Sequence, residues 1–178
     1  MEKEFVFKKG SVVVETNKGK VRGYAYNGVS VFKGIPYAKA KRFHAPEPLE
    51  AWEGELDATS FGYVCPLLDM PKPAGEVFVP HRYWVMDEDC LNLNIWTPSC
   101  DEKKRPVLVW FHGGGLTEGH KDIPSDLKNQ GIAVVAPNYR LYPRAHNPQY
   151  TEDAAEVVAW VVKHIKEYGG DPSKVYVS

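Results

Sequence analysis

The sequence predicts an α/β fold: a mixed, mostly parallel sheet with crossover helices and a small antiparallel hairpin at its N-terminal end. Three observations carry that prediction. Residues 106–111 and 132–137 are short, nearly all-apolar runs, the composition of strands inside a parallel sheet. A long amphipathic stretch, 152–168, separates the second run from a third at 175–177, and apolar strands alternating with helices pair in parallel through crossovers. Upstream, Asn27-Gly28 lies between two alternating stretches, a tight-hairpin signal.

Taken in order, 11–16 and 21–26 read as strands joined at Asn17-Lys18-Gly19, and 29–32 returns after the Asn27-Gly28 turn. Residues 37–87 have no periodicity and are rich in proline. Their aromatics, Phe43, Trp52, Phe61, Tyr63, Tyr83 and Trp84, argue for an ordered excursion over the fold. Residues 91–96 alternate as a half-buried strand, whereas 106–111 read as covered on both faces. A short helical stretch at 124–130 ends at Gly131. In the helix 152–168, Ala154, Val158, Val161 and Ile165 form one stripe, widened by Val157, Trp160 and Val162. Thr151 is its expected cap, Glu152 and Asp153 suit the first turn, and Gly169 suits the end.

With 178 residues the chain is expected to form one domain around one core. Hydrophobic residues at 43% and charged residues at 25% argue against disorder. A net charge of −1 provides no electrostatic case for nucleic acid or an anionic membrane as partner. No apolar run approaches the ~18 residues of a membrane-spanning helix. The first nine residues lack the apolar centre of a signal peptide. Cys65, Cys90 and Cys100 have no C-x-x-C or zinc-ligand spacing, so no metal site is expected, and on composition alone they read as free, partly buried thiols.

The chemistry concentrates at 112–115, His-Gly-Gly-Gly, directly after an apolar strand. Consecutive glycines let backbone N–H groups approach a ligand closely. Two such groups aimed at one carbonyl oxygen form an oxyanion hole, which stabilises the charge that develops during acyl transfer. The usual complement is a serine on a sharp strand-to-helix turn, G-x-S-x-G. These 178 residues do not contain it.

Four stretches resemble the type-B carboxylesterase/cholinesterase-like family of α/β-hydrolases. They are Val31-Phe-Lys-Gly-Ile-Pro-Tyr-Ala38 with Arg42-Phe43; Glu88-Asp-Cys-Leu-Asn-Leu-Asn-Ile-Trp-Thr-Pro98; the glycines of 112–115; and Asn138-Tyr-Arg-Leu141 with Gly169-Gly-Asp-Pro172. The resemblance implies the N-terminal part of an α/β-hydrolase sheet and hydrolysis of small carboxylic esters without a cofactor. It implies that Gly114 and Gly115 are the oxyanion donors and that Gly113 allows the tight turn. Cys65 and Cys90 would form a disulfide around the aromatic loop, leaving Cys100 free, and Arg42 and Glu88 would form a buried structural ion pair anchoring the same loop. A disulfide suits a secreted or periplasmic setting. Two stretches depart from the family. The link from Ile35-Pro36-Tyr37 to Arg42-Phe43 is short, and 142–155 is similar to compact esterases of the hormone-sensitive-lipase and feruloyl-esterase kind.

Other residues have plainer expectations. His112 is expected to position the glycine loop, and the serine, acid and histidine of the triad to lie outside these residues. His44, His81, His120, His146 and His164 show no metal spacing and read as surface or loop residues. Ser125 and Ser173 read as capping residues, and Ser178 as the end of a strand rather than a nucleophile. Glu118 and Asp122 read as solvated loop charges near a pocket mouth, and Tyr83 and Trp84 as pocket or core aromatics. The strand at 175–177 would be central in a complete sheet, so a companion polypeptide carrying G-x-S-x-G is expected to cover its edge. A non-catalytic, cholinesterase-like interaction module is the alternative function. A lid-type lipase is less consistent because no long apolar lid helix is present.

Overall fold

The hairpin signals translate directly into strands. β1 (Lys8–Thr16), β2 (Gly19–Tyr26) and β3 (Val29–Pro36) form an antiparallel meander, with Thr16 opposite Gly19 and Tyr26 opposite Val29 across the two turns. Asn27 and Gly28 take the left-handed conformations (φ +48° and +73°) that match such a turn to strand twist. This is a computed structural model, and it describes residues 8–66, 85–117, 119 and 121–178.

Six more elements complete the described chain. These are β4 (Glu55–Asp57), β5 (Asn92–Thr97), β6 (Arg105–Val109), β7 (Ala133–Pro137), α1 (Gln149–His164) and β8 (Gly170–Val177). The strands lie in the order β1-β2-β3-β5-β7-β6-β8, with β4 beside β2. Pairings β1/β2, β2/β3, β3/β5 and β5/β7 are antiparallel, whereas β2/β4, β6/β7 and β6/β8 are parallel. The mixed sheet therefore turns parallel from β7 onward. There the chain crosses over twice, first through a 3₁₀ turn (Ser125–Asn129) and then through α1 and a second 3₁₀ turn (Ile165–Tyr168).

Strand alternation sorts side chains onto two faces. Phe32, Ile35, Leu93, Ile95, Val107, Val109 and Val135 meet Val157, Val161, Ile165 and Tyr168 in the larger core. Val31, Trp96, Val134 and Ala136 form a smaller cluster on the other face with Ile123. On β8, Tyr176 and Val177 are about 60% exposed (61% and 59%), and β8 pairs only with β6 among the described strands.

Three details differ from the sequence expectation. Residues 92–97 are buried throughout rather than on one face, because the polar positions Asn92 and Asn94 use their amides internally. Asn94 Oδ1 accepts from Gly34 N (2.9 Å) and its Nδ2 donates to Lys121 O (2.8 Å). In β6 only Val107 and Val109 are buried, so one face is covered and the other is open. The helix starts at Gln149 rather than 152. Pro148 is its N-cap and its carbonyl accepts from the N–H groups of Thr151 and Glu152, so Thr151 lies inside the first turn. Gly169 ends this unit in the left-handed conformation (φ +80°), as expected.

Replacing Asn94 with Ala strands the part-buried Gly34 N–H and the buried Lys121 carbonyl together. We expect a loss of about 2–4 kcal/mol, read as a lower urea midpoint at constant m-value. An unchanged midpoint would contradict the assigned role of the Asn94 amide.

Candidate functional site

β6 carries the chain to the carboxyl end of the parallel strands, where ligands bind in open α/β sheets. Trp110 N still donates to Val135 O (2.8 Å), and Phe111 N donates to Ser178 O (2.9 Å). After Phe111 the chain leaves the sheet. Gly114 (φ +119°), Gly115 (φ +62°) and Leu116 (φ +65°) are all left-handed, and Thr117 closes the turn by donating N and Oγ1 to Gly114 O (3.1 and 3.0 Å). The tight turn therefore falls on Gly115-Leu116 rather than on Gly113. Among the described residues, no protein acceptor takes the N–H groups of Gly113, Gly114 or Gly115. A side chain at 113 or 115 would meet nothing within 4 Å.

The loop is held from below. Tyr139 Oη donates to His112 O (2.7 Å), and its ring stacks on the His112 imidazole at 4.4 Å and 14°. His112 Nδ1 lies 2.9 Å from Gly113 O, a loop-positioning contact of the kind the sequence suggested. Gly119 folds back against both. A Cβ there would lie 2.2 Å from His112 Nδ1 and 2.4 Å from Gly113 O, so only glycine fits. Two residues later Lys121 is buried. Its N–H donates to Asn138 Oδ1 (3.0 Å) and its ammonium to the carbonyls of Gly62 and Tyr63 (3.2 and 3.0 Å). Tyr63 O also accepts from Asn92 Nδ2 and Asn138 Nδ2, both at 3.0 Å. The motif spacing gave no sign of Lys121. The Gly115-x-x-x-Gly119 spacing was the one available signal for Gly119.

Beside this lies a buried ion pair that the sequence reading missed. Arg140 Nη2 and Nε donate to Asp153 Oδ1 (2.6 Å) and Oδ2 (2.9 Å), and the Arg140 N–H adds a third bond to Oδ2 (3.0 Å). Both side chains are essentially closed to solvent (4% and 0% exposed). By sequence, Asp153 suits the first turn of the helix and its dipole. Instead it turns inward, because it can satisfy the one arginine buried where β7 leaves the sheet. The remaining guanidinium nitrogen, Nη1, donates to His44 O and fixes the 41–44 turn.

The expected ion pair forms, with Arg42 Nε donating to Glu88 Oε1 at 2.9 Å. It is not buried: its side chains are 45% and 40% exposed, and Arg144 joins Glu88 at 3.3 Å. Cys65 and Cys90 form a disulfide with Cα atoms 4.9 Å apart, enclosing a 25-residue separation, while Cys100 is free. Such a closure contributes roughly 3 kcal/mol. Burial pushes the Cys100 thiol up to about 11.

The remaining candidates fall apart spatially. Ser125 has no capping bond, because Pro124 occupies the N-cap of its turn. Ser173 instead pairs N and Oγ with Asp171 Oδ1 (3.0 and 2.7 Å) in a local turn. His164 is buried at the end of α1, not on the surface, with Nδ1 3.8 Å from Glu167 Oε1. Asp122 lies 3.3 Å from Lys128 Nζ beside a cavity of about 740 Å³ on the smaller-core face, lined by Tyr24, Phe61 and Trp96. His81, Tyr83, Trp84, Glu118 and His120 lie outside the described residues. Among the described residues, no group of three or more His, Cys, Asp or Glu is arranged to hold a metal, and no helix is long and apolar enough to cross a membrane.

A mixed sheet that turns parallel, with a glycine loop leaving the carboxyl end of an inner strand, defines an α/β-hydrolase. The carboxylesterase family model matches residues 10–178, and the chain belongs to the carboxylesterase family. It is 40% identical to the para-nitrobenzyl esterase of Bacillus subtilis (strain 168), over 93% of this chain and 37% of that protein. It is 32% identical to the phenmedipham hydrolase of Pseudarthrobacter oxydans, over 92% of this chain and 36% of that protein. Among solved structures, an esterase from anaerobic Clostridium hathewayi that can hydrolyze aliphatic aromatic polyesters superposes with a TM-score of 0.82 at 40% identity. That match covers 98% of this chain and 39% of the other. The chain thus spans under two fifths of the length of these relatives.

Lys121 sets a pH dependence. Burial lowers its amine from 10.5 to about 7. Below pH 7 folded and unfolded chains both carry the proton, and the folded chain bears the full desolvation cost. Between about 7 and 10.5 the folded chain sheds the proton while the unfolded chain keeps it, so stability rises with pH. Lys121→Met should flatten that rise in urea titrations. A rise as steep as the parent's would show that Lys121 is not its source.

Proposed function

We propose that this chain supplies the oxyanion-hole loop and pocket walls of a serine carboxylesterase acting on small esters, by an acyl-enzyme mechanism. One observation carries the reading: the amides of Gly114 and Gly115, which no acceptor among the described residues takes, stand on a left-handed turn at the carboxyl end of β6. In the reaction a serine attacks the ester carbonyl, a histidine oriented by a carboxylate takes the serine proton, and the oxygen gains charge. The two glycine amides donate to that oxygen as the charge forms. The same histidine returns the proton to the leaving alcohol, and water then repeats the sequence on the acyl-enzyme.

The serine, acid and histidine come from polypeptide outside these 178 residues. Ser178 N donates to Val109 O (2.9 Å), so β8 runs alongside β6 toward the glycine loop. The exposed outer edge of β8 is the natural seat for the next strand of this companion segment, because an open apolar edge invites pairing.

The test uses the full-length polypeptide. It should turn over p-nitrophenyl acetate and be labelled covalently by a fluorophosphonate. Gly114→Ala, at a backbone angle costly for any side chain, should lower kcat by about 10²–10³ with little change in KM. Absence of both turnover and labelling, or a Gly114→Ala variant with parental kcat, would overturn the reading.

A further inference from the structure

The cavity of about 740 Å³ on the smaller-core face has the size of a small-molecule site, and none of the glycine-loop residues 112–117 lines it. Strand register builds its floor. Tyr24 pairs with Val31 and Val31 with Trp96, so three neighbouring strands each place one buried side chain in a single row. Tyr26 and Val29 pair in the row behind. Phe61, from the chain after β4, makes one wall, and Asp122 with the 3₁₀ turn Ser125–Asn129 makes another. The floor is thus apolar and largely aromatic, and it belongs to rigid sheet.

Its charges are unbalanced. Among the described residues two lysines, Lys33 and Lys128, line it against one acid, Asp122. Lys33 Nζ stands 4.0 Å from the Phe61 ring centroid and 5.4 Å from that of Tyr24. Lys128 Nζ stands 5.4 Å from the Trp96 centroid and 3.3 Å from Asp122 Oδ1, which also accepts from Ile123 N (2.9 Å). Burial raises the Tyr24 phenol, and Lys128 is near enough to oppose that rise. Both ammoniums therefore gather around the aromatic row. An ammonium over a ring face has further N–H groups turned away from the ring, where a carboxylate can accept them. An anion there offsets the excess positive charge without lifting either lysine off its ring.

We propose that this cavity binds an organic carboxylate carried on a flat apolar body, at a site separate from the ester site. The flat body lies over Tyr24, Val31 and Trp96 beside Phe61, where ring contacts contribute beyond the area they bury. The carboxylate accepts from Lys33 and Lys128. A cation of the same shape is repelled by both ammoniums, and a neutral analogue forgoes the charge-assisted bonds. The site stands independently of the esterase reading.

The experiment is calorimetric titration of the full-length protein after fluorophosphonate treatment, which fills the ester site, with naphthoate, naphthylmethanol and naphthylmethylammonium. We expect naphthoate to bind one site per chain, about tenfold more tightly than the neutral alcohol, with no saturable binding of the cation. Lys33→Gln combined with Lys128→Gln should weaken naphthoate binding by about tenfold or more, while Lys33→Arg, which keeps the charge, should preserve it. Thermal melts verify that each variant is folded. The comparison of naphthoate with the alcohol on the parental protein decides the matter even where the double variant does not fold. No saturable naphthoate binding, equal affinity for the alcohol, or parental affinity in the folded double variant overturns the site. Failure of the fluorophosphonate to label bears on the esterase reading alone, and the lysine variants then still locate the carboxylate.

Discussion

The buried pair between Arg140 and Asp153 is the constraint on which the site depends. Two charges removed from water must be matched almost completely, and removing one partner of such a pair costs about 3–5 kcal/mol. Here the carboxylate accepts three donors from one residue, and the leftover guanidinium nitrogen finds the carbonyl of His44. Three segments distant in sequence therefore meet with little freedom to slide: the 41–44 turn, the exit from β7, and the second turn of α1. Tyr139, adjacent to Arg140, is delivered to the His112 carbonyl by the same arrangement.

Around that anchor, most buried polar groups have partners, although Asn92 Oδ1 finds none among the described residues. Asn92, Asn94, Asn138 and Lys121 lie in the interior or at its margin, and together they join β3, β5, the 62–63 backbone and the chain after the glycine loop. A buried network of this kind gains specificity only when its members are satisfied. The glycine amides stand out against it. Among the described residues no protein acceptor takes their N–H groups, the arrangement that the proposed oxyanion hole requires.

Much of this was legible in the residues, for identifiable reasons. Hairpin chemistry at Asn27-Gly28, the apolar runs feeding β6 and β7, and the glycine that stops the helix unit are local signals, and each gave its element. The pairing of Cys65 with Cys90 came from resemblance alone, since spacing does not choose partners among three cysteines. What escaped was non-local. The strand 92–97 alternates apolar and polar residues, yet its asparagines are buried because partners 27 to 60 residues away supply their bonds. Asp153 looked like a helix-start acid because nothing nearby revealed that Arg140 faces it. The helix began three residues early because Pro148, not Thr151, sets its first carbonyl acceptor.

The most direct measurement is a crystal structure of the full-length protein carrying a phosphonate on its serine, since the phosphoryl oxygen stands in for the charged oxygen of the reaction. The account predicts that this oxygen lies about 3 Å from both Gly114 N and Gly115 N, the distance of a working oxyanion donor. A phosphoryl oxygen turned away from the loop, or glycine amides bonded to other protein atoms in the adduct, would contradict it.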